Sequence, residues 1–316
     1  MGTSFSDIAA LISGVVQGSG IGPLLFLIYI NELAFILESH GIRIKLFADD
    51  VKLYIQIVDD VDVAQMQQAI DALVNWATEW QLSISVNKCC VLNVGRISHD
   101  TCLHINDNAL PVVESTRDLG VLVSCDLSPS LHVSDIVAKA HKRSAAIHRT
   151  FVSRNIHLLV RAFTVYVRPL LEHDSVIWSP FTVHDIEAVE SVQRRFTKRL
   201  PGLNSLSYPD RLKRVNLHSL ELRRLYTDLY YCYKLLFGLV DIKVTDFFEW
   251  TPHHSTRGHN FKLYKKSCTM RVRSTFFSER VVNVWNNLPA SVDFKSLSSF
   301  KRTVKLVDLS KFLKCF

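Results

Sequence analysis

The segment Ile44-Lys45-Leu46-Phe47-Ala48-Asp49-Asp50-Val51-Lys52-Leu53-Tyr54-Ile55 constrains the fold most. Two short apolar-flavoured runs flank two adjacent carboxylates, which reads as strand, tight turn, strand, with both acids at the turn. Asp is a common turn residue, so the dipeptide alone fits a solvated turn. Carboxylates held on a hairpin also present hard oxygen ligands to Mg²⁺, which keeps its remaining positions for water and substrate phosphates. Two such ions form the clamp used for in-line nucleotidyl transfer. The neighbouring residues decide between these readings.

A chain of 316 residues can bury a sizeable core and hold two or three domains. With 48% hydrophobic and 21% charged residues it reads as a folded globular protein. The net charge of +7 is unevenly spread. Residues 1–93 hold 4 Lys/Arg against 10 Asp/Glu, a balance of −6, and residues 194–273 hold 17 against 6, a balance of +11. An acidic first part and a basic later part suit a metal site joined to a phosphate-binding surface, although a solvated basic helical face reads the same way. Seven Cys with no C-x-x-C pair suit a reducing, intracellular compartment and give no zinc signature. His253, His254 and His259 read as surface histidines. The apolar run Ile21 to Leu37 is interrupted by Asn31 and Glu32, and it reads as too short and too polar to span a membrane.

Along the chain, Gly14 to Gly22 contains four glycines that permit close backbone approach to a ligand or nucleic acid, yet it is neither a Walker A loop nor a G-x-G-x-x-G fingerprint. Pro23 opens an apolar helix through Leu37. A second helix is expected from Asp62 to Trp80, with Met66 and the tryptophans in the core. Short strands are expected at Ile84–Val86, Val91–Val94 and Leu119–Val123, and a hairpin of Leu103–Asn106 with Ala109–Val113 around Asp107-Asn108. From about Leu131 helical patterns dominate, over 131–153, 156–171, 182–200 and 219–238. Ser207 and Ser219 are candidate N-caps, and Gly202 and Gly238 candidate stops. Arg194, Arg195, Lys198, Arg199, Arg211, Lys213, Arg214, Arg223 and Arg224 recur at helical intervals, so that several can share a face. Trp285-Asn286-Asn287-Leu288-Pro289 reads as a helix end and a turn.

Together these residues resemble the reverse transcriptase of non-LTR, LINE-type retrotransposons of the jockey and CR1 kind. Ser13-Gly14-Val15-Val16-Gln17-Gly18-Ser19-Gly20-Ile21-Gly22-Pro23-Leu24-Leu25-Phe26 is similar to the family's S-G-V-P-Q-G-S-x-L-G-P-L-L-F motif, and Phe47-Ala48-Asp49-Asp50 to its F-A-D-D catalytic box. Trp76, Trp80, Leu82, Asn87, Lys88 and Cys89 follow its W-x3-W-x-L-x4-N-K-C pattern. Arg117-Asp118-Leu119-Gly120-Val121 resembles the next motif, and the Trp285 to Pro289 stretch, with Phe300-Lys301 after it, resembles the usual end of these reading frames.

The resemblance implies an α+β, right-hand polymerase. Residues 1–125 would be a partial palm, an antiparallel sheet with packed helices. Residues 126–240 would be a helical thumb, and 241–316 a C-terminal extension. Asp49 would be a Mg²⁺ ligand and Asp50 its supporting carboxylate, two ions being expected in the intact family site. Gln17, Gly18, Ser19, Phe47 and Ala48 would lie against the template and incoming nucleotide. Lys88 would be a cation near the leaving pyrophosphate, a solvent-exposed lysine being the plainer reading. Arg194, Arg195, Lys198 and Arg199 would grip the backbone of an RNA template and DNA primer. The family's further catalytic Asp lies in a motif upstream of the glycine segment, and Asp7 sits in no such motif. The expectation is therefore an N-terminally truncated polymerase fragment, weak or inactive alone, or else a non-catalytic nucleic-acid-binding remnant.

Overall fold

The computed structural model describes residues 14–15, 18–95, 102–251 and 258–315. The chain forms two compact units that divide between Glu114 and Ser115.

In the first unit, helix α1 (Gly22–Ser39) is followed by strands β1 (Arg43–Phe47) and β2 (Asp50–Tyr54) and helix α2 (Asp60–Glu79). Short strands β3 (Val91–Leu92), β4 (His104–Ile105), β5 (Asn108–Ala109) and β6 (Val112–Val113) complete it. Helix α1 packs on β1 and α2. It buries Ile30, Leu33 and Leu37, one stripe at spacings of three and four. Helix α2 begins two residues before the expected Asp62 because Asp59 and Asp62 form a reciprocal cap. The Asp59 carboxylate accepts from the Val61 and Asp62 amides, and Asp62 accepts from the Asp59 amide at 3.1 Å. Met66, Ala69, Ile70, Trp76 and Ala77 of α2 join Leu33, Leu37, Ile42 and Ile44 in one core. Trp76 and Trp80 pack with Tyr29, whose hydroxyl donates to the Trp80 carbonyl. The core reading therefore holds for Met66 and Trp76, whereas Trp80, at the C-cap of α2, is exposed and the expectation that it is core is corrected. At 18 residues, α1 is long and apolar enough to cross a membrane by length and composition. The expectation that this run is too short is thereby corrected.

Instead of one antiparallel sheet, the described residues form four two-stranded ladders, of which β3 with β6 is parallel. Ile84–Val86 forms no strand; a 3₁₀ turn occupies Val86–Lys88. The second hairpin pairs His104 with Ala109 and Ile105 with Asn108, so Asn106-Asp107 make the turn, one residue earlier than expected. Asn106 takes φ 51°, a conformation that Asn tolerates. Ala109–Val113 breaks at Pro111, which has no N–H to give a ladder. Its carbonyl instead accepts from the Val91 amide at 3.0 Å, and the chain restarts as β6.

The second unit opens with the hairpin β7 (Ser115–Asp118) and β8 (Val121–Ser124). Leu119 (φ 44°) and Gly120 (φ 93°) are its turn, so the expected strand starts two residues later than its first member. Then come α3 (Ser130–Thr150), α4 (Ile156–Ala162), α5 (Ser175–Trp178), α6 (Val183–Lys198), α7 (Tyr208–Arg214) and α8 (Leu220–Leu236), with α9 (Arg271–Thr275), α10 (Phe277–Asn286) and α11 (Leu297–Val304) last. The expected helix 156–171 changes pitch, with a π turn over Phe163–Val167 and a 3₁₀ turn over Arg168–Leu171. Pro169 lacks an amide and its ring collides with the carbonyl four residues back, so the regular ladder cannot pass it. Ser207 and Ser219 cap α7 and α8 as expected, accepting from the Asp210 and Leu222 amides. Gly202 and Gly238 take left-handed φ shortly after α6 and α8.

One core of this unit gathers Leu159, Phe163, Val167, Leu171, Val189, Val192 and Phe196. The other gathers Leu229, Tyr233, Leu235, Trp285, Phe300 and Val304. His259 is not at the surface. Its Nδ1 accepts from the Phe261 amide at 3.1 Å, its Nε2 reaches the Trp285 carbonyl at 2.8 Å, and its ring lies on Phe294. His253 and His254 lie outside the described residues.

Candidate active site and nucleic-acid interface

The register of β1 with β2 decides where the acids sit. Phe47 pairs with Asp50, leaving Ala48 and Asp49 as a two-residue turn. Ala48 has φ 51°, a left-handed conformation that costs an L side chain about 1 kcal/mol or more. Side chains alternate along a strand, so Ile44, Leu53, Leu46 and Val51 share the inward face. Phe47 and Asp50, Lys45 and Lys52, and Arg43 and Tyr54 form the outward face. Phe47, Ala48, Asp49 and Asp50 are all exposed. The hairpin thus holds one carboxylate at its tip and the next at the first paired position, both open to solvent. Lys45 and Lys52 stand on the face of Asp50 next to it in register. Period-two alternation in the sequence carries this placement, although the motif reading passed over both lysines.

The donor set fits Mg²⁺ chemistry, since this ion is held by one or two carboxylates while it keeps water and phosphate oxygens. No group of three or more His, Cys, Asp or Glu side chains able to hold a metal occurs among the described residues. Asp49 and Asp50 would hold the ion, which supplies charge to the attacking and leaving oxygens of a phosphoryl group.

Gln17 lies outside the described residues. Gly18 has φ 87°, and a Cβ built on it would meet nothing within 4 Å, so its backbone is open to close approach. The Ser19 hydroxyl turns toward the Ile21 amide at 3.4 Å, at the start of α1. Lys88 ends the 3₁₀ turn over Val86–Lys88 and is exposed.

The basic residues of the second unit separate into two groups. Arg195, Lys198 and Arg199 are exposed on the last turn and C-cap of α6. Arg194 is turned away from that role. It pairs with Glu187 at 2.7 Å and lies over the Tyr208 ring. Arg211, Arg223 and Arg224 do not share an exposed face with them. Arg211 is buried and donates to the Leu206 carbonyl at 2.7 Å and the Thr197 hydroxyl at 3.3 Å. Arg223 forks onto both oxygens of Glu172. Arg224 is buried near Glu190, Glu221 and Asp228, and burial lowers its pKa.

Sequence reasoning missed the polar network that organises this region. The buried Glu190 accepts from the Tyr208 hydroxyl and from the Leu220 amide at 2.8 Å and the Glu221 amide at 3.3 Å. A carboxylate from α6 therefore caps the N-terminus of α8. Burial raises the Glu190 pKa against these hydrogen bonds, and burial beside Glu190 raises that of Tyr208. Asp228 of α8 takes both arms of Arg280 from α10, each at 2.8 Å.

Comparison with known proteins agrees with the motifs. Residues 8–123 match the family model for reverse transcriptase (RNA-dependent DNA polymerase). Over 209 residues, 62% of its length, the chain is 23% identical to the RNA-directed DNA polymerase from mobile element jockey of Drosophila funebris. It is 24% identical over 206 residues to the probable RNA-directed DNA polymerase from transposon X-element of Drosophila melanogaster. The chain spans under a quarter of these relatives, 23% and 22% of their lengths. No solved structure matches. Residues 8–123 therefore match a reverse transcriptase domain, and over about 60% of its length the chain is similar to RNA-directed DNA polymerases of mobile elements.

Proposed function

We propose that this chain contributes part of the nucleotidyl-transfer site of an RNA-directed DNA polymerase. The observation that carries this reading is the exposed Asp49-Asp50 pair at the hairpin tip, inside the matched residues 8–123. Residues 1–114 act as a partial palm, the helices within 126–240 as a thumb and 241–316 as a C-terminal extension. Asp49 and Asp50 hold Mg²⁺ between a primer 3′-hydroxyl and an incoming dNTP. Gln17, Gly18, Ser19, Phe47 and Ala48 lie against template and nucleotide, and Lys88 near the leaving pyrophosphate. The seven free thiols support an intracellular setting. Two measurements test the assignment. Mn²⁺ as a paramagnetic probe is expected to broaden the amide signals of residues 47–52, and Asp49→Ala with Asp50→Ala to abolish the effect. Primer extension by residues 1–316 on an RNA template is expected to be weak and to fall at least about 100-fold in Asp49→Ala. Extension that is indifferent to Asp49, or Mn²⁺ broadening elsewhere only, overturns the reading.

A second reading, a non-catalytic nucleic-acid binder, is favoured by the exposed cations of α6. It expects salt-sensitive RNA binding that Asp49→Ala leaves intact, with no extension under any divalent ion.

A further inference from the structure

Helix α1 carries two apolar stripes. Ile30, Leu33 and Leu37 are buried in the core of the first unit. Ile21, Leu24, Ile28 and Phe35 are 63%, 59%, 66% and 68% exposed, with Leu25 beside them at 42%. At about 100° per residue the second stripe lies opposite the first, across the helix axis. Exposed Asn31 takes the place between Ile28 and Phe35, so the spacing runs three, four, three, four. Single exposed apolar side chains are ordinary, whereas a periodic run along one helix face marks a contact surface. The spacing is that of a two-helix seam, with isoleucine at the first and third places and leucine at the second, a choice that favours two strands. Glu38 takes the next place with a charge and ends the apolar run.

We propose that this stripe pairs with the same stripe of a second copy of the chain, as a parallel two-fold helix pair in which the two Asn31 side chains face each other. Five apolar side chains at roughly 100 Å² each, taken from both copies, bury about 1,000 Å², the lower bound of a specific interface. The dimer is therefore weak and reversible, with a Kd on the order of tens of micromolar. Asn31 sets the direction. In a parallel pair the two amides meet and hydrogen-bond to one another. In an antiparallel pair centred on Ile28, Asn31 would lie opposite Leu25 and its amide would be buried unpaired. Charge does not oppose the contact along the stripe. Helix α1 has no Lys or Arg, and Glu32, at the edge of the stripe, accepts from Nε1 of Trp76 in its own unit at 3.4 Å. The same features disfavour a lipid surface, because no basic residue meets anionic head groups and Asn31 and Glu32 sit in and beside the apolar run. A two-fold pair uses the stripe of both copies and closes, so association through it stops at two. The pairing does not depend on the polymerase reading.

The test is sedimentation velocity of the full chain across about 1–200 µM, which brackets the expected Kd. The wild-type chain is expected to pass from monomer to dimer and no further. Ile28→Glu with Phe35→Ser is expected to weaken pairing at least about thirtyfold, since it places a charge in the seam, and to keep the urea midpoint of the dilute monomer, since both positions are exposed. Asn31→Ile is expected to tighten pairing at least about tenfold, because it removes the polar group from an apolar seam. That gain cannot come from a failure to fold. Asn31→Cys, equilibrated with oxidised glutathione, is expected to form a covalent dimer in high yield, while the wild-type chain with its seven cysteines does not. A monomer at every concentration overturns the proposal, and so does a dimer that Ile28→Glu with Phe35→Ser leaves intact. A dimer in which Asn31→Cys fails to cross-link overturns the parallel arrangement. Flotation of the full chain with phosphatidylserine–phosphatidylcholine vesicles, if Ile28→Glu with Phe35→Ser abolishes it, assigns the stripe to lipid and likewise overturns the pairing.

Discussion

Ala48 occupies a backbone conformation that its neighbours on the hairpin impose and its own side chain resists. Ala48→Val is expected to destabilise the first unit by about 1–2 kcal/mol in urea unfolding, because a β-branched side chain suffers more at positive φ, while Ala48→Gly leaves it unchanged or slightly more stable. Trp285 gives the opposite kind of constraint. It is fully buried, its Nε1 donates to the Phe261 carbonyl at 2.6 Å, and its ring meets Phe294 and Phe300. Trp285→Ala is expected to cost about 3–5 kcal/mol, read as a lowered urea midpoint. The hairpin turn that carries the aspartates and the helix end at Trp285 to Asn287 were both legible in the sequence, because each sits in a short, strongly patterned stretch; the burial of Trp285 itself was not. Nor was Glu190. Its partners lie 18, 30 and 31 residues away, and no local pattern marks a carboxylate as the cap of a distant helix.

At the scale of elements, α3 is tied to the β7–β8 hairpin through a neutral imidazole. The Leu122 amide donates to Nδ1 of the buried His132 at 3.1 Å, so that nitrogen must carry its lone pair. Burial is the largest cause of the lowered His132 pKa. Asp135 opposes it, and Arg117, Lys139 and His173 reinforce it. Between the lowered folded value and the ordinary imidazole range the unfolded chain binds more protons, so stability is complete above the ordinary value of about 6.5 and is lost as pH falls through the folded one. Buried His148 and His259 act in the same direction, while the raised carboxyls of Glu190 and Asp228 act against it. His132→Asn keeps an acceptor for Leu122 without a titrating ring. It is expected to flatten the fall in melting temperature of residues 115–316 between pH 7 and pH 5 without abolishing it. Helix spans were read well from apolar spacing, and three of the four long patterns end within three residues of the observed helices. The fourth, 156–171, shows the limit: periodicity continues through Pro169 while hydrogen bonding cannot. The short strands were misplaced for a related reason, since two-residue ladders are set by their partners and turns more than by their own composition.

For the whole molecule, the second unit contains two apolar clusters and the polar network between α6, α7, α8 and α10, which is ample for independent folding. Residues 115–316 alone are expected to unfold in one cooperative urea transition, and the full chain to show an additional transition assigned to the first unit. A single transition for the full chain that matches neither part would contradict this division. The change of character along the sequence, from mixed strand and helix to long helices, announced a boundary. The sequence places it near 125–131, whereas the compact units divide before the β7–β8 hairpin. That hairpin belongs with the helices because its Arg117 joins Asp135 of α3 at 2.9 Å and its Leu122 joins His132, contacts that no strand pattern encodes.

The pairing of β1 and β2 also bears on solubility. No third strand joins them among the described residues, so the outer rims of the ladder keep main-chain groups that another chain could adopt. Lys45 and Lys52 face each other across that ribbon and tax any such stacking with like charge. Without them the strand segments Ile44–Phe47 and Val51–Tyr54 would each be uninterrupted apolar runs of high strand propensity on either side of the Asp49-Asp50 turn. Lys45→Val with Lys52→Val should therefore convert a dispersed protein into one that scatters light in a concentration-dependent way. The two lysines beside Asp50 would then be keeping copies of the chain apart from one another.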